Sequence, residues 1–157
     1  MHSEHRLKVS LIILRIMTGL FLFSMGVGKL EWYTSTEPLN ERLDFYYQDA
    51  PAISQWYQDT IAKPLVGLWS ILIPSCEILG GLALTLGLLT RLTGVAMIIM
   101  VLNLNFANGN LFGLTLFNNP FNGLLLAALF AVTFVAAGRS FGLDKHLARN
   151  EPDNILW

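Results

Sequence analysis

From residue 92 to residue 138, between Arg91 and Arg139, the chain carries no Asp, Glu, Lys or Arg, a run of 47 residues. A water-soluble fold cannot hide that much uncharged, apolar chain. The whole sequence agrees: 54% of its 157 residues are hydrophobic and 13% are charged, about half the charged share usual in soluble domains. The setting these numbers predict is a lipid bilayer, with the chain organised as one membrane domain over residues 1–157.

A bilayer core about 30 Å thick is crossed by roughly 20 apolar helical residues. Four segments meet that requirement, near residues 7–28, 64–90, 92–111 and 121–138. The uncharged run must hold two of them, because Asn108-Gly109-Asn110 and Asn118-Asn119-Pro120 interrupt it with turn-forming residues. The basic start and apolar run at the N-terminus resemble a signal peptide. Arg15 breaks that run and no small-x-small cleavage site follows, so a retained first span is expected. The predicted fold is therefore all-α, a four-helix transmembrane bundle. Arg91 leaves almost no loop between spans two and three, which predicts a tight hairpin. Pro74 is a candidate kink, and Gly26, Gly28, Gly80, Gly81 and Gly87 are candidates for close helix approach.

Lys and Arg set the orientation. Arg6, Lys8, Arg91, Arg139, Lys145 and Arg149 fall on one side, against Lys29, Arg42 and Lys63 on the other. The first side is then cytoplasmic, with both termini and a tail over residues 139–157, and the location expected is the inner (plasma) membrane. The sizeable outer loop, residues 31–63, contains Ile53, Trp56, Tyr57 and Ile61 at helical spacing, with Gln55, Gln58 and Asp59 on other faces. This predicts a short amphipathic helix on the outer surface of the bundle, as an interfacial anchor or as a lid.

Ionisable groups inside a span are costly and default to functional candidates. Arg15 and Glu77 are the two here. Helix rise places Arg15 roughly 12 Å, Glu77 roughly 21 Å and Asn103 roughly 18 Å from the cytoplasmic ends of their spans. The three are close enough in depth to form an intramembrane cluster. It would serve as a register-fixing buried ion pair or as a pocket for a quinone, an anion or a proton. Lys29, beside Trp32 and Tyr33 at the outer end, reads as a snorkelling lysine or as a contact for a ligand headgroup. Asn105, Asn108 and Asn110 continue the polar strip outwards, as helix glue or part of a site. Cys76 reads as a packing residue.

Other chemistries lack their residues. Basic side chains are few and form no stripe, so nucleic acid is not expected. Cys76 is the lone cysteine, and the histidines (His2, His5 and His146) all lie in the tails. A haem held by two histidines within the membrane, a zinc site built on cysteines, a phosphate loop and an HExxH motif are all excluded. No metal and no intrinsic cofactor is expected. Electrons, if they pass through, would use a bound quinone or a partner's cofactor.

Three segments carry a family resemblance. Arg15-Ile16-Met17-Thr18-Gly19 leading to Gly26-Val27-Gly28-Lys29-Leu30, Glu77 to Leu82 running on to Gly87-Leu88-Leu89-Thr90-Arg91, and Ala137 to Asp144 occur in the order found in the DoxX family. The sequence resembles that family over nearly its whole length, with matches at Arg15, Gly19, Gly28, Lys29, Glu77, Gly80, Gly81, Arg91, Gly138, Arg139 and Asp144. The resemblance implies a four-helix membrane fold. It also implies kinship with DoxD, a subunit of thiosulfate:quinone oxidoreductase, and with small membrane subunits placed among oxidative-stress and sulfur-handling proteins. Three functions follow as expectations. The first is a quinone-linked redox subunit, the second a non-catalytic scaffold or assembly factor with protein partners, and the third a small transporter working as a homo-oligomer.

Overall fold

The computed structural model describes residues 2–112, 116, 120–135 and 142–144. Its helices are α1 (His2–Val27), α2 (Glu37–Tyr47), α3 (Ala52–Tyr57), α4 (Val66–Leu86), α5 (Thr90–Ala107) and α6 (Pro120–Val135), and no strand occurs among the described residues. Three of them are long and apolar enough to cross a membrane: α1 from His5, α4 and α5. The apolar helix within α6, Asn122–Val135, is shorter. Helices α1, α4, α5 and α6 share one core, built from Leu22, Leu84, Met97, Ile98, Val101, Leu126, Leu129 and Val132.

The packing is inverted relative to a soluble protein. Leu79, Ile99 and Phe134 are 67%, 62% and 76% exposed, whereas Arg15, Glu77 and Asp144 are at most 2% exposed. Apolar side chains point outward where lipid would meet them, and charges are enclosed. Between such helices lipid offers no hydrophobic drive, so close contact and polar bonds must supply the attraction. Helix α1 lies tightly on α4. A Cβ at Gly81 would stand 2.6 Å from the Gly19 carbonyl oxygen, and one at Gly19 would stand 2.7 Å from that of Gly81. These two glycines let the backbones touch. Gly28, one of the expected small faces, has no such close neighbour on another helix.

The helix ends follow local chemistry. Gly87 adopts φ +69°, the left-handed conformation suited to glycine, and its N–H closes α4 on the carbonyls of Ala83 and Leu84. The second span therefore stops at Leu86 rather than continuing to residue 90, and α5 begins at Thr90 after three turn residues. Helix α5 ends at Ala107, short of the expected 111, ahead of Asn108 and of Gly109 at φ +75°. Pro74 sits inside α4, which stays helical from Val66 to Leu86. Residues 136–141 and 145–157, with most of the expected tail, and the Asn118-Asn119 turn lie outside the described residues.

The outer segment departs most from expectation. It holds two helices, α2 and α3, with α3 running into a π-helical turn, Gln58–Ala62. Around α3 the expected apolar stripe is divided: Tyr57 is buried and Ile61 packs against the same cluster, whereas two other members face outward. Ile53 and Trp56 are exposed, while Ser54 and Gln58 are buried. The reason is the end of α5, whose last carbonyls have no partner within the helix. Ser54 Oγ donates to the Phe106 carbonyl and Gln58 Nε2 to that of Ala107, each at 2.7 Å. Helix α2 inserts Leu39 and Leu43 into a second cluster with Trp32, Tyr57, Ala62, Ile73 and Ala107. Its outer side is tied by Lys63 to Asp44 at 2.7 Å and by the Tyr47 hydroxyl to Asp59, also at 2.7 Å. By accepting this hydrogen bond Asp59 favours the neutral phenol and holds the Tyr47 pKa above its ordinary value.

Candidate functional site

One face of α1 carries Arg15, Thr18, Leu22 and Gly26, and all four are buried. Their spacing of three and four residues is that of one helical stripe. The stripe continues past the end of α1 to Lys29, where the chain turns into the 3₁₀ segment Leu30–Tyr33. Across from it on α4 lie Glu77 and Gly81. Which partners the charges take depends on depth and on what the chain brings to each end.

At the outer end Lys29 turns inward. Its Nζ lies 2.5 Å from both carboxylate oxygens of Glu77 and 5.6 Å from the centroid of the Trp32 ring. Lys29 is 9% exposed and Glu77 2%, so the snorkelling reading of Lys29 gives way to a buried ion pair. The pair joins the end of α1 to the middle of α4.

At the opposite end Arg15 packs against the α4–α5 turn. A Cβ at Gly87 would stand 2.6 Å from a guanidinium nitrogen of Arg15, so a side chain there would displace the Arg15 head, and the backbone angle itself favours glycine. Asp144 comes to the same place. Its carboxylate accepts from the Leu89 and Thr90 N–H groups at 2.6 and 2.8 Å, capping the first turn of α5. The Asp144 backbone N–H donates to the Gly87 carbonyl at 2.9 Å. Asp144 is also the opposite charge that acts on Arg15.

The structure thus does not bring Arg15, Glu77 and Asn103 together. Asn103 faces α3, where its amide donates to the Tyr57 hydroxyl at 2.7 Å. Two residues on, and therefore about 200° around the helix, Asn105 points into the bundle. It is 2% exposed and accepts from the Asn122 amide of α6 at 2.7 Å.

Lys29, Glu77 and Asn105 line a cavity of about 70 Å³, room for a few water molecules or a small polar group. Its apolar walls include Leu22, Met25, Ile73, Val101 and Leu125, and Trp32 closes one side. Asn108 and Asn122 add two further amides. Helix α2 roofs the cavity with Leu39, Arg42, Leu43 and Tyr46. A mostly apolar hollow with a few convergent polar groups is the usual form of a small-molecule site. The sequence marks Arg42 only as an outer-side charge, and neither Tyr46 nor Asn122 as a site residue. The Arg42 signal was there, as a cation four residues from Tyr46 on a helical face, but nothing in the chain showed that α2 folds back over the bundle.

The family model described as DoxX matches residues 10–108, from α1 through α5 and so including Arg15, Lys29, Glu77 and Asn105. No curated protein and no solved structure matches the sequence.

Proposed function

The chain belongs to the DoxX family of small membrane proteins, and from that premise we propose that it is the quinone-binding subunit of a membrane redox complex. In this reading α6 is the fourth span of the bundle. Both termini face the cytoplasm across the inner membrane, and the cavity under α2 opens toward the outer side. One observation carries the reading: a buried Lys29–Glu77 pair faces a cavity that also presents the amides of Asn105, Asn108 and Asn122.

The donor set suits the carbonyl edge of a quinone, and the α2 roof would have to move outward to admit the rest of the ring into a cavity of about 70 Å³. The carbonyl oxygens need donors, which Lys29 and the asparagine amides supply. The ring needs an apolar or aromatic wall, which Trp32, Leu22 and Ile73 supply. A bound quinone contributes acceptance of electrons and protons. Glu77 is the one carboxylate among the described lining residues and is the group to hold or release a proton there. Lys29 keeps that carboxylate in place and offsets its charge. The apolar walls limit the entry of bulk water.

The test is extraction of lipids from protein purified in mild detergent, with quinone measured by mass spectrometry beside the Glu77→Gln variant. Quinone is expected in the wild type and strongly reduced in the folded variant. Its absence from both would end this reading.

A scaffold role is the second reading, favoured by the same ion pair, because it ties α1 to α4. If the pair serves folding alone, the exchange Lys29→Glu with Glu77→Lys restores the function that either change removes.

A further inference from the structure

The core shared by α1, α4, α5 and α6 does not include α2. Two kinds of contact hold that helix over the cavity. On its inner face Leu39 and Leu43 are buried in the second cluster with Trp32 and Ile73. On its outer face Glu37, Glu41 and Asp44 are exposed, so this side meets water rather than lipid. The polar ties lie on the wet side. Lys63 Nζ reaches Asp44 at 2.7 Å, with the Asp44 side chain 65% exposed, and the same ammonium stands 4.4 Å from the centroid of the Tyr47 ring. The Tyr47 hydroxyl donates to Asp59 at 2.7 Å, and Gln55 Nε2 donates to the Tyr47 carbonyl at 3.0 Å. Exposed ties of this kind hold weakly, because water competes for both partners. The neighbouring α3 is held differently, by the buried bond from Gln58 at its end to the Ala107 carbonyl. Of the helices around the cavity, α2 is therefore the least firmly held.

We propose that α2 is a lid on the Lys29–Glu77 cavity. The pairs Asp44–Lys63 and Tyr47–Asp59 latch it shut, and it swings outward between its connections, residues 34–36 and 48–51, when they break. The proposal rests on the reading of this cavity as a ligand site and adds the step that controls entry. Closed, the cavity of about 70 Å³ admits a few water molecules or a small polar group. Lifting α2 takes Leu39, Arg42, Leu43 and Tyr46 from its roof and bares Lys29, Trp32 and Glu77 beneath. Reclosure is driven by Leu39 and Leu43, which meet water while the lid is open. Weakly held elements open locally while the rest of a fold stays intact.

The experiment measures how fast a thiol beneath the lid is modified. In the full chain in detergent, carrying Cys76→Ala, the change Ile73→Cys places a thiol on α4 within the cluster that Leu39 and Leu43 cover. The reagent is methyl methanethiosulfonate, which is small and uncharged. Adding Tyr47→Phe and Lys63→Met should speed the modification roughly fivefold, the effect of losing two exposed ties. Carbodiimide coupling, which turns the Asp44–Lys63 ion pair into an amide, should nearly stop it. In Asp44→Asn the same treatment should change nothing. Leu84→Cys, in the core that excludes α2, should react slowly and at one rate in every form, which separates lid opening from loosening of the bundle. Equal rates at Ile73→Cys in coupled and uncoupled chains overturn the proposal, because entry then runs by another route. So does a rate unmoved by the latch variants, or one that rises equally at Leu84→Cys. Latch-dependent modification of a chain that yields no quinone on extraction sustains the lid and ends the quinone reading. Bound quinone in a chain whose thiol ignores the latch ends the lid and leaves the quinone reading standing.

Discussion

Lys29 Nζ is held 2.5 Å from both oxygens of the Glu77 carboxylate, although 48 residues separate them in sequence. The contact closes the outer end of the α1–α4 pair, whose opposite end is closed by Arg15 against Gly87 and Asp144. Two charged closures at opposite ends fix the sliding register of two helices that otherwise meet through small residues.

Removing one partner of the outer closure leaves a buried charge without compensation. Lys29→Met should lower stability by about 3–5 kcal/mol, measured by reversible unfolding in mixed detergent micelles. The double variant Lys29→Met with Glu77→Leu should recover most of that loss, since an apolar pair carries no desolvation cost. A double variant as unstable as the sum of the singles would show that the pair is not the interaction that matters.

The α1–α4 contact has no room for a side chain at Gly81, where a Cβ would meet backbone atoms of both Gly19 and Phe23. Gly81→Val should cost more than about 3 kcal/mol, the scale of overpacking against a backbone that cannot yield. Gly67, in the same helix, has nothing within 4 Å of its Cβ position. Gly67→Ala should change stability by no more than about 0.5 kcal/mol. The contrast between the two sites, read in the same unfolding assay, tests the helix pairing itself.

The long helices were legible because charge is excluded from lipid, and the runs free of Asp, Glu, Lys and Arg mark them. The partners of the charges were not. Lys29 lies roughly 21 Å further along than Arg15, which leaves the two nearly equidistant in depth from Glu77. Asp144, a residue from the far end of the chain, supplies an opposite charge on the Arg15 side, and no spacing within the spans announces it. Helix α2 was hidden for a different reason. Its buried contacts reduce to Leu39 and Leu43, a single pair of apolar residues four apart, too few to stand out from a polar loop. The burial of Ser54 and Gln58 on α3 was hidden because these polar side chains serve the carbonyls of another helix, a demand that no local pattern records.

Asp144 caps α5 with both carboxylate oxygens. Asp144→Ala should therefore cost about 1–2 kcal/mol for the cap, and more once Arg15 loses its nearby opposite charge. Hydrogen exchange should quicken first at the Leu89 and Thr90 amides, before the rest of α5. Asp144→Asn should retain part of the protection, because one amide oxygen can still accept. Unchanged exchange at those two amides in Asp144→Ala would remove the cap from the account.

Ser54 and Gln58 hold the outer segment to the end of α5 through the carbonyls of Phe106 and Ala107. Gln58→Leu leaves the Ala107 carbonyl buried without its donor, a cost of about 1–3 kcal/mol. The loss should be local, because the core shared by α1, α4, α5 and α6 does not include α3. Exchange should rise over α3 and the π-helical turn while α4 stays protected. Trp56 is already exposed, at 58%, and reports on the same event. In a variant keeping Trp56 as its sole tryptophan, quenching by lipids brominated near the headgroup should be strong in the wild-type background and weaker after Gln58→Leu. Equal quenching in the two would mean that α3 holds its place at the bilayer surface without the α5 carbonyls.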